Sequence, residues 1–241
     1  MSSIPESPTE LSPLDGYAAW AERYDDEDNP LALLEGPAIL EACGQVAGLR
    51  ILDLGCGTGR HSLPLIQAGA HVVGLDFSPE MLAVARRRFE DLLSTLSPRT
   101  ANLGSAEFHQ HSLPDPFPFP NRSFDLVIMG LVIEHVADLD AVMREAYRVL
   151  KPAGHCLVSA LHPDRTAAGQ RARFIDPATG LRTPIATIHR TEDEYLSPAR
   201  AAGFTILESR TLFGTPELAA RSPRGAKYLG LPLGWLGVFK K

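Results

Sequence analysis

The sequence predicts an α/β fold built on a doubly wound, mostly parallel sheet. Two observations carry that expectation. Residues 49–54 are a short apolar run, Gly55, Gly57 and Gly59 follow at alternate positions, Leu63, Leu65 and Ile66 fall at helical spacing, and a second apolar run from His71 ends on Asp76. This is strand, glycine turn, helix, strand, acid: one βαβ unit with its ligand site at the carboxyl ends of the strands. Further along, short apolar strands keep alternating with amphipathic helices as far as Phe239, the pattern of a layered α/β sheet.

Each element has a local reason. Residues 1–13 are rich in Ser, Pro and Glu and read as a flexible tail. Residues 14–48 read as N-terminal helices: Tyr17, Trp20 and Tyr24 recur at helical spacing, and a second helix spans 30–42. Ser78 caps a helix with Pro79 in its first turn and Met81, Leu82, Val84, Ala85 and Phe89 on its apolar face. A loop over 94–102 precedes a third strand at 106–111. The prolines from Pro114 to Pro120 exclude helix and central strand. A fourth strand at 124–129, a helix at 139–150 and a fifth strand at 155–160 follow. Residues 162–190 are an insertion after the fifth strand, with little periodicity and a loop signal at Asp176-Pro-Ala-Thr-Gly180. A connection that long in a compact domain is functional or disordered. A helix at 192–202 stopped by Gly203, a strand at 204–210 and a last strand at 234–239 complete a single domain over 1–241.

The glycine turn says what kind of ligand fits. Alternate glycines let the backbone take positive φ and let a ligand lie against bare main chain. An acid ending the second strand can accept both hydroxyls of a ribose. The spacing is G-x-G-x-G rather than the G-x-G-x-x-G of dinucleotide folds. Asp53-Leu54-Gly55-Cys56-Gly57-Thr58-Gly59 resembles, position by position, the first motif D/E-x-G-x-G-x-G of the class I S-adenosylmethionine-dependent methyltransferases. The resemblance continues through Asp76-Phe77-Ser78, Phe124-Asp125-Leu126-Val127 and Arg148-Val149-Leu150-Lys151-Pro152-Ala153-Gly154, about two thirds of the chain. It points to the small-molecule branch that includes ubiquinone and menaquinone methyltransferases.

The resemblance implies a Rossmann-like seven-stranded sheet with one antiparallel strand, an N-terminal helical lid and S-adenosyl-L-methionine as cofactor, leaving as S-adenosyl-L-homocysteine. Carried onto this chain, it implies cofactor contacts from Tyr24, Asp53, Gly55, Cys56, Gly57, Gly59, Arg60, Asp76, Phe77, Ser78, Met81 and Gly130. Many relatives end the third strand in an acid that holds the adenine amino group. This chain has His111-Ser112-Leu113, so the contact passes to Ser112 and the backbone of Leu113. The insertion reads as a lid or pocket wall.

Composition narrows the function. A formal charge of −6 and a pI near 5.7 argue against a nucleic-acid groove, which leaves a basic footprint. No apolar run approaches the roughly 20 residues of a membrane helix, and no signal peptide is indicated. Cys43, Cys56 and Cys156 are sparse and far apart, as reduced thiols of a cytoplasmic protein are. The expectation is a cytoplasmic methyltransferase, monomer or homodimer, acting on O, N or C of a small-molecule acceptor without nucleic acid, membrane or metal.

Methyl transfer needs positioning first, and for some acceptors a base. His135 and His162 fall at the ends of the fourth and fifth strands, and His189 can reach in from the insertion. Each has a plainer alternative, holding or capping its loop. His61 reads as structural, Glu134 as exposed yet beside the pocket, Arg171 and Arg173 as partners of an anionic acceptor or of the lid, and Arg86-Arg87-Arg88 as a solvated helix face. Two rivals stand: a cofactor-binding protein of this fold with a non-methylating reaction, and a nicotinamide-dependent oxidoreductase.

Overall fold

The computed structural model describes residues 6–7, 9–95 and 103–241. Residues 1–5 and 8 of the expected tail, and 96–102 of the expected loop, lie outside them.

Among the described residues there are nine strands: β1 (Arg50–Leu54), β2 (His71–Asp76), β3 (Ser105–Gln110), β4 (Phe124–Gly130), β5 (Leu150–Leu161), β6 (Arg173–Ile175), β7 (Arg182–Pro184), β8 (Thr205–Phe213) and β9 (Pro232–Lys240). Seven form one sheet in the order β3-β2-β1-β4-β5-β9-β8, and β6 pairs with β7. In the large sheet β9 runs antiparallel to β5 and β8 and the other pairs are parallel; β6 and β7 pair antiparallel. β1 pairs with β2 on one side and β4 on the other. The winding reverses there, which opens a crevice beyond the strand ends.

The central strands β1, β2 and β4 are buried on both faces because helices cover both. Ile51, Leu52 and Leu54 are fully buried. On one face, α5 (Leu139–Val149) and α7 (Glu192–Ala202) pack with Phe124, Tyr195 and Trp235. On the other, α2 (Pro30–Cys43) and α3 (Ser62–Gln67) pack with Val72 and Leu236. α5 buries Leu139, Val142, Met143, Ala146 and Val149 at spacings of three and four, and Asp138 caps it by accepting from Ala141 N–H at 2.9 Å. α4 (Pro79–Thr95) is capped by Ser78 as expected, with Met81 N–H donating to its hydroxyl.

Three expectations need correction. The tail is not loose where it is described. Glu6 and Leu11 bridge in parallel to Arg182 and Ile185, because its backbone donors find the open carbonyls of Arg182 and Pro184. Ser12 then caps α1 (Pro13–Trp20), which starts one residue early.

The insertion also has structure that periodicity could not reveal. His162 caps α6 (Pro163–Ala167), and Asp176 accepts from Ala178 N–H and the Thr179 hydroxyl to turn the β6–β7 hairpin. Lastly, α8 (Pro216–Arg221) was not anticipated, although Thr215 followed by Pro216 is a start signal.

Candidate active site

The glycine turn joins β1 to α3. Gly55 and Cys56 donate to the Leu75 carbonyl (2.7 and 3.0 Å). Gly57 donates to Asp76 Oδ2 at 2.8 Å, while Ser78 N–H donates to Oδ1 at 2.9 Å. Gly57 sits at φ 53° with nothing within 4 Å of where a Cβ would be. It therefore presents bare backbone to a cavity that any side chain would enter. A Cβ on Gly55 would lie 2.5 Å from Val132 Cγ2, so this glycine permits a close approach.

Gly55, Cys56, Gly57, Arg60, Asp76 and Phe77 line that cavity, with Tyr24, Met81 and Gly130 on its other walls. Asp76 and Phe77 also line a second cavity, shared with Ser112 and Leu113. The expected adenosyl contacts are thus brought together. Three expected residues lie beside the cavity rather than in its wall. Asp53 is fully buried beneath the turn, where Oδ2 accepts from the Ser62 hydroxyl at 2.6 Å. Ser78 caps α4, and Gly59 packs on Leu63 and Ala85.

The electrostatics are those of a buried polar site. Burial raises the Asp76 carboxyl to about 6 against the hydrogen bonds from Ser78 and Gly57. Burial likewise raises Asp53, whose Oδ1 has no hydrogen-bond partner. Glu35, on α2, is fully buried. It meets Arg60 Nη1 at 2.7 Å and His61 Nε2 at 3.1 Å, and accepts from the Ser159 hydroxyl at 2.5 Å. Burial alone would raise its carboxyl, but the His61 and Arg60 charges bring it down to about 2. Ser159 in turn accepts from Leu131 N–H at 3.1 Å. Leu131 leaves β4 at φ 58°, a strained conformation for a non-glycine residue and one that clusters at functional sites. Glu35 was missed in the sequence, where it looks like one polar residue in an apolar helix.

The three histidines separate. His135 Nδ1 lies 2.8 Å from the Ala186 carbonyl and Nε2 2.9 Å from the Tyr17 hydroxyl. A carbonyl can only accept, so Nδ1 carries the proton and Nε2 accepts from Tyr17. Burial lowers the His135 pKa, which keeps the ring neutral. His135 lines both cavities already described and a third, bounded by Tyr17, Trp20, Glu134, Arg171, Arg173 and Tyr228.

His162 and His189 line none of these three cavities. His162 Nδ1 accepts from Asp164 N–H and Nε2 lies 3.2 Å from Thr211 Oγ1, while exposed His189 reaches Thr166 Oγ1 at 2.7 Å. Both hold the insertion in place.

Glu134, exposed in the sequence pattern, is buried at 5%, because the turn Ile133–His135 rolls it under the insertion. Arg171 pairs with Glu10, and Arg173 lies 4.0 Å from Glu6, so these arginines hold the leading segment. Arg86 to Arg88 are not merely solvated. Arg86 donates to the Phe108 carbonyl, Arg87 pairs with Glu22, and Arg88 Nη1 bridges Asp25 (2.5 Å) and the Thr58 carbonyl (3.1 Å). Arg86 thus holds β3, Arg87 the N-terminal helical segment, and Arg88 ties that segment to the glycine turn. Among the described residues, no cluster of three or more metal-ligating side chains occurs and no helix is long and apolar enough to cross a membrane.

This geometry matches known proteins. The methyltransferase domain family model matches residues 52–158. The chain is 30% identical over 222 residues to an uncharacterized methyltransferase of Emericella nidulans, covering 80% of this chain and 76% of that one. It is 31% identical over 198 residues to the ubiquinone biosynthesis O-methyltransferase of Xanthomonas oryzae pv. oryzae, covering 80% and 77%. In structure it is similar to an S-adenosylmethionine-dependent methyltransferase from Mesorhizobium loti, with TM-score 0.68 and 28% identity over 86% of this chain and 98% of that one. With its sheet order, its glycine turn and these relatives taken together, the chain belongs to the class I S-adenosylmethionine-dependent methyltransferases.

Proposed function

We propose that this enzyme methylates a small-molecule acceptor held in the cavity between α1, the Ile133–His135 turn and the β6–β7 hairpin. The observation that carries this reading is that the cofactor cavity and this outer cavity meet on Tyr17, Tyr24, Leu131 and His135. A methyl group presented at that junction faces an acceptor across it. The name of the Xanthomonas relative, an O-methyltransferase of ubiquinone biosynthesis, supports a small organic acceptor. The negative charge of the chain supports a partner other than nucleic acid, and its sparse free thiols suit the cytoplasm. A monomer or homodimer suffices, because one chain supplies every residue of the junction.

The residues present fit S-adenosylmethionine. Gly57 leaves a cradle that a Cβ would fill, in a cavity that Asp76 and Arg60 also line. Asp76 would take the ribose hydroxyls, Phe77, Ser112 and Leu113 the adenine, and Arg60 the methionine carboxylate. The bound cofactor supplies a methyl group on a positively charged sulfur, already activated for transfer.

What remains for the chain is positioning. Leu131, strained and held through Ser159, shapes the floor of the junction. His135 keeps a neutral Nε2 on Tyr17, which fixes α1 over both cavities. Arg88 and Arg87 hold the same helical segment from the other side.

The test is calorimetry with S-adenosylhomocysteine. Binding at high-micromolar affinity or better is expected, and none would end the proposal. Release of S-adenosylhomocysteine during turnover separates methyl transfer from a rearrangement on the same fold.

A further inference from the structure

The large apolar side chains that face solvent are not spread evenly. Phe213, Leu229 and Leu231 are 51%, 53% and 44% exposed, and backbone contacts gather them at one corner. Phe213 pairs with Pro232 at the end of β8. Gly214 N–H donates to the Leu231 carbonyl at 3.0 Å, and Gly230 N–H to the Gly214 carbonyl at 2.8 Å. Leu231 N–H closes the corner on the Tyr228 carbonyl at 2.8 Å, with Leu229 at φ −53°, ψ 121° and Gly230 at φ 69°. This is a type II turn, which favours glycine at its third position. Turn tips normally carry polar residues; this one carries two leucines.

The surroundings are cationic. No Asp or Glu follows Glu217 in the chain. Arg165 and Lys227 lie 5.2 and 4.9 Å from the Tyr228 ring. Arg165 also donates to the Pro232 carbonyl, and Arg224 Nη1 donates to the Asp28 carbonyl at 2.7 Å. The Asp28 carboxylate is itself taken by the Ser222 hydroxyl and the Arg224 N–H. Among the described residues, none of these three cations forms an ion pair with a carboxylate. The turn stands between Tyr228 and Leu233, which both line the outer cavity.

Going beyond the methyl-transfer reading, we propose that this turn docks the enzyme on an anionic lipid surface. Leu229, Leu231 and Phe213 enter the interface, while Lys227, Arg165 and Arg224 meet the headgroups; apolar side chains beside unneutralised cations are what such a surface holds. Docking places two walls of the outer cavity, Tyr228 and Leu233, at the lipid. Charge and area disfavour the other occupants. A second copy would set the same cations face to face, since a two-fold interface repeats one patch. A protein partner needs about 800 Å² on this side, well beyond what three half-exposed side chains offer. The formal charge of −6 opposes approach, but charges more than about 8 Å apart are largely screened at physiological salt, so the cations at the tip act first. The expected absence of a membrane partner rested on the lack of a spanning run, and peripheral docking needs none.

The test is flotation of the full chain with vesicles of equimolar phosphatidylcholine and phosphatidylglycerol, and with vesicles of phosphatidylcholine alone. Wild type should float with the anionic vesicles, less as salt rises, and far less with the neutral ones. L229S/L231S should bind at least about tenfold more weakly, and K227E at least about fivefold. L93S, which removes a leucine 47% exposed on α4, should match wild type. All variants should bind S-adenosylhomocysteine as wild type does. If L229S/L231S does not fold, K227E decides, and K227E floating like wild type overturns the proposal.

Wild type left behind by anionic vesicles would overturn it. So would equal flotation with both vesicles, or equal flotation of L229S/L231S and L93S. A wild-type dimer in sedimentation that L229S/L231S dissolves would assign the patch to a second copy instead. A chain that floats as expected without binding S-adenosylhomocysteine would lose the methyl-transfer reading and keep this one.

Discussion

Replacing Glu35 by Gln keeps the shape of the side chain and an oxygen for the Ser159 hydroxyl, but leaves Arg60 and His61 without their counter-charge. The cost follows from the carboxyl itself. Its ordinary value of 4.5 falls to about 2 in the folded chain, a difference of about 3 kcal/mol at roughly 1.4 kcal/mol per tenfold. This agrees with the about 3–5 kcal/mol lost when one partner of a buried pair is removed. For a chain of 241 residues, about 2–4 °C per kcal/mol lowers the melting temperature of E35Q by roughly 6–12 °C.

The pH dependence has a definite sign. A depressed carboxyl stabilises the fold fully above pH 4.5, and that contribution fades as pH falls from 4.5 towards 2. E35Q should therefore lie well below wild type at pH 7 and approach it in acid. Scanning calorimetry at pH 7 and across the acid range reads both effects. An E35Q protein melting within about 1 °C of wild type at pH 7 would refute the reasoning, because the buried charges would then be compensated elsewhere.

Other perturbations test the cofactor cavity and its cover. Asp76 should serve ribose as a carboxylate, so S-adenosylhomocysteine affinity should weaken as pH falls below about 6; titration calorimetry of D76N should show a flat profile, and a wild-type profile equally flat would remove Asp76 from the site. G57V strains one residue at φ 53° by about 1–2 kcal/mol and puts a side chain into open cavity, so affinity should fall more than about 100-fold. G48V, also at positive φ (75°) with nothing within 4 Å and outside these cavities, should be strained too yet bind normally; equal losses in both would mean that strain, not occlusion, decides. Y17F removes the 2.9 Å hydrogen bond to His135 and should cost about 1 kcal/mol, seen as a melt lowered by about 2–4 °C. An unchanged melt would show that this contact does not hold α1 closed.

The sequence by itself determined the βαβ unit and the glycines and acid grouped at its strand ends, and its resemblance to a known family implied the seven-stranded sheet. Those features rest on neighbours in the chain: the alternate glycines, Asp76 at its strand end, Ser78 capping the next helix. Steric freedom, hydrogen-bond reach and hydrophobic period act over a few residues, and a sequence displays them directly.

Tertiary structure decided the acceptor side. Tyr17 meets His135 across 118 positions and Ser159 meets Glu35 across 124, distances at which no local pattern marks a partner. His135, His162 and His189 look alike as residue types, yet one lines three cavities and two pin an insertion. Glu134 reads as polar surface until the insertion folds over it and removes its water. A carboxyl's solvation and its partners belong to the whole fold, because both are set by what packs above it, and packing joins residues that the chain keeps apart.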